Sequence, residues 1–273
     1  MILFGGPVWP EENSVEAWVT AVQQAGYRAT LCPVSPEADS DTRQAYAGAA
    51  QKADITIAEV GAWSNPLSSD PVQREAAFQK CTSALNLAEE IGAVCCVNIA
   101  GSRGEQWDGP HPDNLNAETF DMIVESIRLI IDTVQPTRTF YALEMMPWTL
   151  PDSPQSYLEL IQAVDRTAFG VHLDPVNIIN SPRRYFDNGS LIRECVQILG
   201  PHLKTCHAKD IKLHGQLTVH LDEVLLGQGF LDYPTFLREL HKLPGHIPLL
   251  LEHLPDEADY KQAAANLRAV ARA

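Results

Sequence analysis

The amino-acid sequence predicts an α/β fold, a closed (β/α)8 barrel that forms a single domain over residues 1–273. Eight short apolar runs alternate with longer segments of helical period, which is the pattern of repeated βα units. The length of 273 residues suits such a barrel, which needs about 250 residues. A glycine-rich phosphate loop does not follow the first run, and a doubly wound sheet is therefore disfavoured.

Strands are predicted where short runs of apolar and β-branched residues are bounded by polar or turn-forming residues. In chain order they are Ile2–Phe4, Ala29–Val34, Ile55–Val60, Ala93–Ile99, Phe140–Met145, Phe169–Leu173, Leu203–His207 and Pro248–Leu251. Helices are predicted between them, where apolar residues recur at helical spacing. They are Ser14–Ala25, Asp41–Lys52, Pro71–Ile91, Ala117–Val134, Gln155–Val164, Ser190–Leu199, Tyr233–Leu240 and Glu257–Ala271.

Capping residues support several of the predicted helix boundaries. Asp70 and Ser153 each directly precede a proline, a combination that is typical of helix starts. Gly26, Gly92 and Gly200 follow three predicted helix ends, where a left-handed glycine is expected to close the helix.

Two long irregular stretches, residues 100–116 and 212–231, follow the fourth and the seventh predicted strands. Active sites of these barrels lie beyond the C-terminal ends of the strands. Because long loops inside a compact domain usually carry function, both stretches are expected at the functional face.

The charge of the chain argues against some partners. The 20 Lys and Arg residues against 35 Asp and Glu residues give a formal net charge of -15, which repels phosphate backbones. Nucleic acid is therefore not an expected partner, and a small neutral or metal-bridged substrate suits the charge better. A membrane partner is not expected either, since the chain lacks a run of about 18 apolar residues.

The first residues of the chain begin as a predicted strand without a basic leader. A cytoplasmic location is therefore predicted. Homo-oligomer formation is left open.

Ligand-type side chains stand at the ends of four consecutive predicted strands. Strands five to eight present Glu144, Asp174, His207 and Glu252 in turn. Three carboxylates and one imidazole from neighbouring strands can converge on a single divalent cation at the barrel axis. Oxygen-rich ligation with one nitrogen suits Mn²⁺, Mg²⁺ or Co²⁺, and Zn²⁺ is also admissible.

Each of these four residues also has a structural interpretation when it is taken singly. Glu144 is compatible with a helix cap, Asp174 with a turn before proline, His207 with a hydrogen-bonded core position and Glu252 with a lysine partner. Four independent coincidences would be needed at equivalent strand ends, and the metal site is therefore the favoured hypothesis.

Several segments of the chain resemble the xylose isomerase-like TIM barrels, a superfamily of sugar isomerases and epimerases, inosose dehydratases and endonuclease IV. The resemblance rests on Ala142–Glu144, Gly170–Asp174, Cys206–Asp210, Gly227–Gly229 with Leu231–Tyr233, and Leu250–His253. It implies Glu144, Asp174, His207 and Glu252 as the ligands of one metal ion. It also implies that Glu144 and Glu252 act as the catalytic acid and base.

The resemblance leaves several reactions open. Proton abstraction next to a carbonyl, with the enediolate bound to metal, leads to isomerisation or epimerisation of a sugar or sugar-like keto or polyol compound. A dehydratase or lyase starts with the same abstraction, and is the first alternative. A non-catalytic sugar-binding barrel is the second alternative, and a nuclease is the least favoured.

Three positions depart from the pattern of the ketose 3-epimerases that the chain resembles. Those enzymes have histidine, arginine and glutamate where this sequence has Asn177, Leu213 and Leu150. The recognition set of a free ketose is therefore not reproduced. Asn177 is kept as a substrate-binding candidate because of its place in the pattern.

Tryptophans follow four of the predicted strands: Trp9, Trp63, Trp107 and Trp148. Any one of them is compatible with core packing. Four at one end of a barrel instead predict an apolar wall on which a sugar face or another flat ligand stacks.

Three further polar side chains are candidates for substrate binding. His172 shares a strand face with Asp174 by alternation, and a buried hydrogen-bonded role is its alternative. Lys209 lies two residues beyond His207 and is expected to bind a substrate oxygen or to pair with Glu252 or Asp210. Arg103 is a candidate for an anionic group, with a solvated loop charge as its alternative.

Overall fold

Eight parallel strands close into a barrel, and helices connect them. A computed structural model describes residues 1–272, so residue 273, the last of the predicted domain, lies outside the described residues. The strands are β1 (Ile2–Gly5), β2 (Ala29–Leu31), β3 (Thr56–Gly61), β4 (Cys95–Asn98), β5 (Phe140–Glu144), β6 (Phe169–Leu173), β7 (Leu203–Ala208), β8 (Asp210–His214), β9 (His220–Val224) and β10 (Ile247–Leu251). The helices are α1 (Val15–Gln24), α2 (Ser40–Lys52), α3 (Pro71–Ile91), α4 (Ala117–Val134), α5 (Pro154–Val164), α6 (Pro182–Phe186), α7 (Asn188–Leu199), α8 (Tyr233–His241) and α9 (Glu257–Arg272).

The barrel strands follow the order β1-β10-β7-β6-β5-β4-β3-β2, and β2 pairs with β1 to close the ring. The predicted single-domain (β/α)8 barrel is confirmed, and each of the eight predicted strands overlaps a barrel strand. Parallel order brings the C-terminal ends of all eight strands to one face of the barrel. Within residues 1–272, no helix has the length and apolar character that crossing a lipid bilayer requires.

A β-hairpin follows β7 at this face. Strands β8 and β9 pair antiparallel, from Asp210 opposite Val224 to His214 opposite His220. The prediction that residues 212–231 are irregular is wrong for this segment. The sequence pattern of the hairpin has a period of two, in which apolar residues such as Ile211 and Leu221 alternate with charged residues. It was missed because the strands were predicted from continuous apolar runs, and the hairpin contains none.

The buried carboxylate of Asp210 holds the loop that follows the hairpin. Its oxygens accept hydrogen bonds from the backbone N–H groups of Gly227, Gly229 and Leu231 at 2.9–3.0 Å. A Cβ atom on Gly229 would lie 2.2 Å from Asp210 Oδ1, so this close approach requires glycine. The start of the hairpin is therefore fixed to the loop that follows the hairpin.

Most of the predicted capping residues have the expected geometry. The side chains of Asp70 and Ser153 accept backbone hydrogen bonds at the starts of α3 and α5. Gly26 and Gly92 adopt left-handed φ values of 66° and 76°. The prediction for Gly200 is wrong: its φ is -49°, because the chain continues directly from α7 into a 3-10 turn.

Candidate functional site

Four strand-end residues converge at the C-terminal face of the barrel. Glu144 is the last residue of β5, Asp174 follows β6, His207 lies in β7 and Glu252 follows β10. One ligand atom from each, three carboxylate oxygens and a ring nitrogen, lie within 4.8 Å of one another. The structure therefore brings together the four residues that the sequence predicted as metal ligands.

The backbone next to Glu144 is held by a buried tyrosine. The hydroxyl of Tyr157 accepts a hydrogen bond from the N–H group of Leu143 at 3.0 Å. The same hydroxyl lies 2.8 Å from the carbonyl oxygen of Leu143 and 2.9 Å from that of Gly170, to either of which it can donate. This contact links the end of β5, where Glu144 lies, to the beginning of β6.

His207 directs one ring nitrogen at two of the carboxylates. Its Nδ1 atom lies 2.8 Å from Glu252 Oε2 and 3.1 Å from Glu144 Oε1. The imidazole and Glu144 are buried, whereas 21% of the Glu252 side chain is exposed. Glu252 and Glu144 are therefore the members of the cluster that a ligand from the open side can reach, since both also line a cavity.

The ammonium group of Lys209 lies among the same carboxylates. Its Nζ atom is 2.9 Å from both Asp174 Oδ2 and Glu252 Oε2, and 3.6 Å from Glu144 Oε1. The side chain is almost fully buried, with 2% exposure. Of the two ion pairs considered from the sequence, the structure has the one with Glu252, because Asp210 is engaged by backbone N–H groups.

These charges shift the pKa values in different directions. Burial raises the pKa of Glu144 and of Glu252, but His207 and Lys209 outweigh it and the net shift of both is downward. For Asp174 burial prevails over Lys209, and the pKa of this carboxyl is raised. Burial lowers the pKa of His207, yet the surrounding carboxylates outweigh it and the net shift is upward. Glu144 and Glu252 are thus held ionised.

The residues of the cluster fit a divalent cation. Asp174 Oδ2 and Glu252 Oε2 are buried oxygens that find no properly oriented hydrogen-bond donor among residues 1–272. Lys209 offsets part of the cost of burying these charged oxygens, and a bound cation would offset the rest. Three carboxylate oxygens and one imidazole nitrogen form the donor set that hard divalent ions prefer.

A further carboxylate, Glu59 on β3, lies inside the barrel against two histidines. Its Oε2 atom is 3.2 Å from His207 Nε2, and its Oε1 atom is 3.1 Å from His172 Nδ1. His172 is fully buried and also contacts Thr205 Oγ1 at 2.7 Å. Sequence reasoning missed Glu59, although its signal was present: a lone carboxylate within an apolar strand, which needs a buried partner.

A cavity of about 750 Å³ opens at the cluster. Glu144 and Glu252 line it together with three of the predicted tryptophans, Trp63, Trp107 and Trp148. Asn177 lines it as well, and its side-chain N–H group donates to Glu144 Oε1 at 3.0 Å.

The remaining predicted substrate contacts lie elsewhere. His172 and Lys209 are buried within the barrel, where His172 contacts Glu59 and Lys209 contacts Asp174 and Glu252. Trp9 lines a different cavity and packs on Tyr260, with ring centroids 5.2 Å apart. Arg103 contacts α4, where its Nη1 atom lies 3.8 Å from Glu118 Oε1.

The comparison with family models decides the classification. A model described as a xylose isomerase-like TIM barrel matches residues 15–270. The chain belongs to the xylose isomerase-like TIM barrel family. A comparison with curated proteins gave no match.

Solved structures with this fold include proteins of different activities. A xylose isomerase-like TIM barrel protein from Mycobacterium smegmatis, in complex with magnesium, is 15% identical over 95% of this chain and 88% of its own, with a TM-score of 0.68. The 3-keto-D-glucoside 4-epimerase of E. coli is 12% identical over 98% and 100%, with a TM-score of 0.72. Endonuclease IV from Thermus thermophilus is 14% identical over 99% of both chains, with a TM-score of 0.74. At these identities the likeness shows the fold alone.

In this xylose isomerase-like barrel, Glu59 is expected to orient His207. A carboxylate bonded to one ring nitrogen fixes the tautomer that leaves the other nitrogen free to bind metal, and losing it typically lowers metal affinity 10–100-fold. Glu59→Gln should therefore weaken Mn²⁺ binding by about 10–100-fold, measured by competition with a chelating dye. The matched control is Glu159→Gln on the exposed side of α5. Equal affinity in both variants would contradict this role.

Proposed function

We propose that this protein is a divalent-metal-dependent isomerase or epimerase that moves a proton next to the carbonyl group of a sugar or sugar-like compound. The observation that carries the proposal is the convergence of Glu144 and Glu252 on one cavity, beside the metal-type ligands Asp174 and His207. Mn²⁺, Mg²⁺ and Co²⁺ are the proposed ions, with Zn²⁺ as a further candidate. When bound by the four residues, such an ion supplies Lewis acidity to a substrate oxygen.

Glu144 and Glu252 are the proposed acid and base. Both line the cavity, and the downward shift of their pKa values keeps both ionised and able to accept a proton. Lys209 and His207 lie within 3.6 Å of Glu252 and Glu144 and offset their charge. One ionised carboxylate takes the proton from carbon. In epimerisation the other carboxylate first takes up a proton from solvent and delivers it to the opposite face, whereas in isomerisation the first carboxylate returns its own proton to the neighbouring carbon.

Substrate contacts are proposed for the residues that share the cavity with these carboxylates. Asn177 holds Glu144 by a hydrogen bond and has its amide at the cavity wall. Trp63, Trp107 and Trp148 offer aromatic faces. A supporting role is proposed for Lys209, which holds Asp174 and Glu252 from within the barrel.

The proposal is tested by incubating the Mn²⁺-loaded protein with keto-sugars, aldoses and oxidised polyols in deuterated water. The expected result is solvent deuterium on the carbon next to the carbonyl group, in recovered substrate and in an isomer, detected by NMR and mass spectrometry. An unsaturated or cleaved product would support the dehydratase or lyase activity in place of the isomerase activity. Absence of both exchange and product across the panel would contradict proton-transfer catalysis.

A further inference from the structure

We infer that the ligand of this cavity is an uncharged glycoside, a sugar ring that carries an apolar substituent, and not a sugar phosphate. This inference rests on the proposed function for the sugar end of the ligand: because the anomeric carbon of a glycoside is an acetal, the reacting carbonyl group stands at another carbon of the ring. The size of the cavity, the charge of its lining and the position of its tryptophans carry it independently of the reaction.

The cavity is larger than one sugar ring needs. Its volume of about 750 Å³ lies in the upper part of the range of about 300–1,000 Å³ that holds drug-sized ligands. Besides the two catalytic candidates, its lining includes Trp107 from the loop after β4, Ile179 from the segment after β6 and Leu221 from the hairpin. A sugar ring placed at Glu144 and Glu252 therefore leaves space among loop side chains for a second group.

The charge of the lining disfavours a phosphate. Asp108 and Glu223 line the cavity in addition to the two cluster carboxylates, and a metal ion at the cluster would leave both of them negative. Among the described residues that line the cavity, His253 is the only basic side chain, and Glu223 engages it at 3.0 Å. A phosphate dianion would thus enter a negative cavity without the arginine or lysine partner that phosphate sites use.

The two loops that carry the tryptophans are joined by a hydrogen bond. The indole N–H group of Trp148 donates to the carbonyl oxygen of Asp108 at 2.7 Å, which fixes the loop after β5 to the loop after β4. Trp107 and Trp148 nevertheless remain 39% and 37% exposed, whereas Trp18 in α1 is 3% exposed and belongs to the core. The first two therefore present large apolar faces to the cavity, which an apolar or aromatic substituent can cover.

Isothermal titration calorimetry on the Mn²⁺-loaded protein tests the ligand class. The probes are glucose, galactose and mannose, together with their 6-phosphates, methyl glycosides and phenyl glycosides. In the series that binds best, the phenyl glycoside is expected to bind at least about tenfold tighter than the methyl glycoside. The 6-phosphate is expected to bind at least about tenfold more weakly than the free sugar. Tightest binding by a phosphate, no gain from the phenyl group, or no binding across the panel would overturn the inference.

Trp148→Ala should reduce the phenyl-to-methyl affinity ratio by about tenfold, because the indole face is removed. Trp107→Ala serves as a second variant if Trp148→Ala does not fold, as judged by thermal unfolding. The matched control is Trp9→Ala, which removes a 45% exposed tryptophan that lines a different cavity, and its ratio should stay as in the unmodified protein. An equal loss in the control and the test variants would contradict a specific tryptophan wall.

The outcome also separates this inference from the proposed function. Glycosides that bind with the expected ratio, while none of the carbonyl compounds of the deuterium assay exchanges, would retain the ligand class and reject the isomerase. Deuterium exchange on a sugar phosphate would support the isomerase and reject the uncharged glycoside as the ligand.

Discussion

Glu252→Gln is expected to lower turnover by about 10³-fold, and Glu144→Gln by a similar factor. The amide has the shape of the carboxylate but does not accept a proton from carbon, so acid–base catalysis is lost while the cavity keeps its form. Turnover is measured with the substrate that the deuterium assay identifies, and metal content is measured on the same samples because both residues are proposed ligands. A loss of turnover at full metal occupancy assigns the effect to proton transfer.

Glu159→Gln is the control for both variants, since it makes the same chemical change on an exposed helix surface. It should retain the turnover of the unmodified protein. If Glu144→Gln and Glu252→Gln also retained full turnover and full metal content, these glutamates would not be the acid and base. Other residues of the cavity would then have to carry the proton transfer.

Removal of the metal is expected to lower turnover at least as much as Glu144→Gln or Glu252→Gln does. Dialysis against a chelator should reduce turnover to background, and added Mn²⁺, Mg²⁺ or Co²⁺ should restore it, because the carbonyl oxygen loses its Lewis acid without the ion. Circular dichroism before and after dialysis checks that the fold persists. Full turnover in protein shown to be metal-free by mass spectrometry would contradict the metal-dependent reaction.

Metal affinity should increase with pH. Burial lowers the pKa of His207, but the surrounding carboxylates outweigh burial and raise the pKa above its usual value, so the metal-free protein is expected to hold a proton there more strongly than a free histidine does. Metal ligation requires the neutral ring, and binding therefore releases this proton. Below the raised pKa, affinity should increase by about tenfold for each pH unit, measured by calorimetry in buffers of different ionisation enthalpy. An affinity that is flat across the neutral range would contradict the protonated state.

Sequence reasoning located the metal-type cluster because parallel strands share one rule. In a (β/α)8 barrel every strand ends at the same face, so Glu144, Asp174, His207 and Glu252 had to lie near one another once the strands were recognised. The hydrogen bond of Asn177 to Glu144 and the ion pairs of Lys209 depend on side-chain conformations, which strand order does not determine.

Other features depended on geometry that alternation does not reveal. Glu59 meets His172 and His207 across the barrel interior, and this contact requires the relative register of three strands. Trp9 follows a strand as the other three tryptophans do, but the path of its loop directs it to Tyr260. Strand position alone therefore placed three of the four tryptophans at the cavity.

The buried ammonium of Lys209 gives the site its own counter-ion. Its Nζ atom lies 2.9 Å from Glu252 Oε2, and His207 Nδ1 lies 2.8 Å from the same oxygen, so the protein itself offsets part of the negative charge of the cluster. In the metal-free barrel the charge of the cluster is therefore partly compensated by side chains of the protein itself, and the fold is expected to persist. Loss of the ion would then be reversible, and its return could be followed on a folded protein.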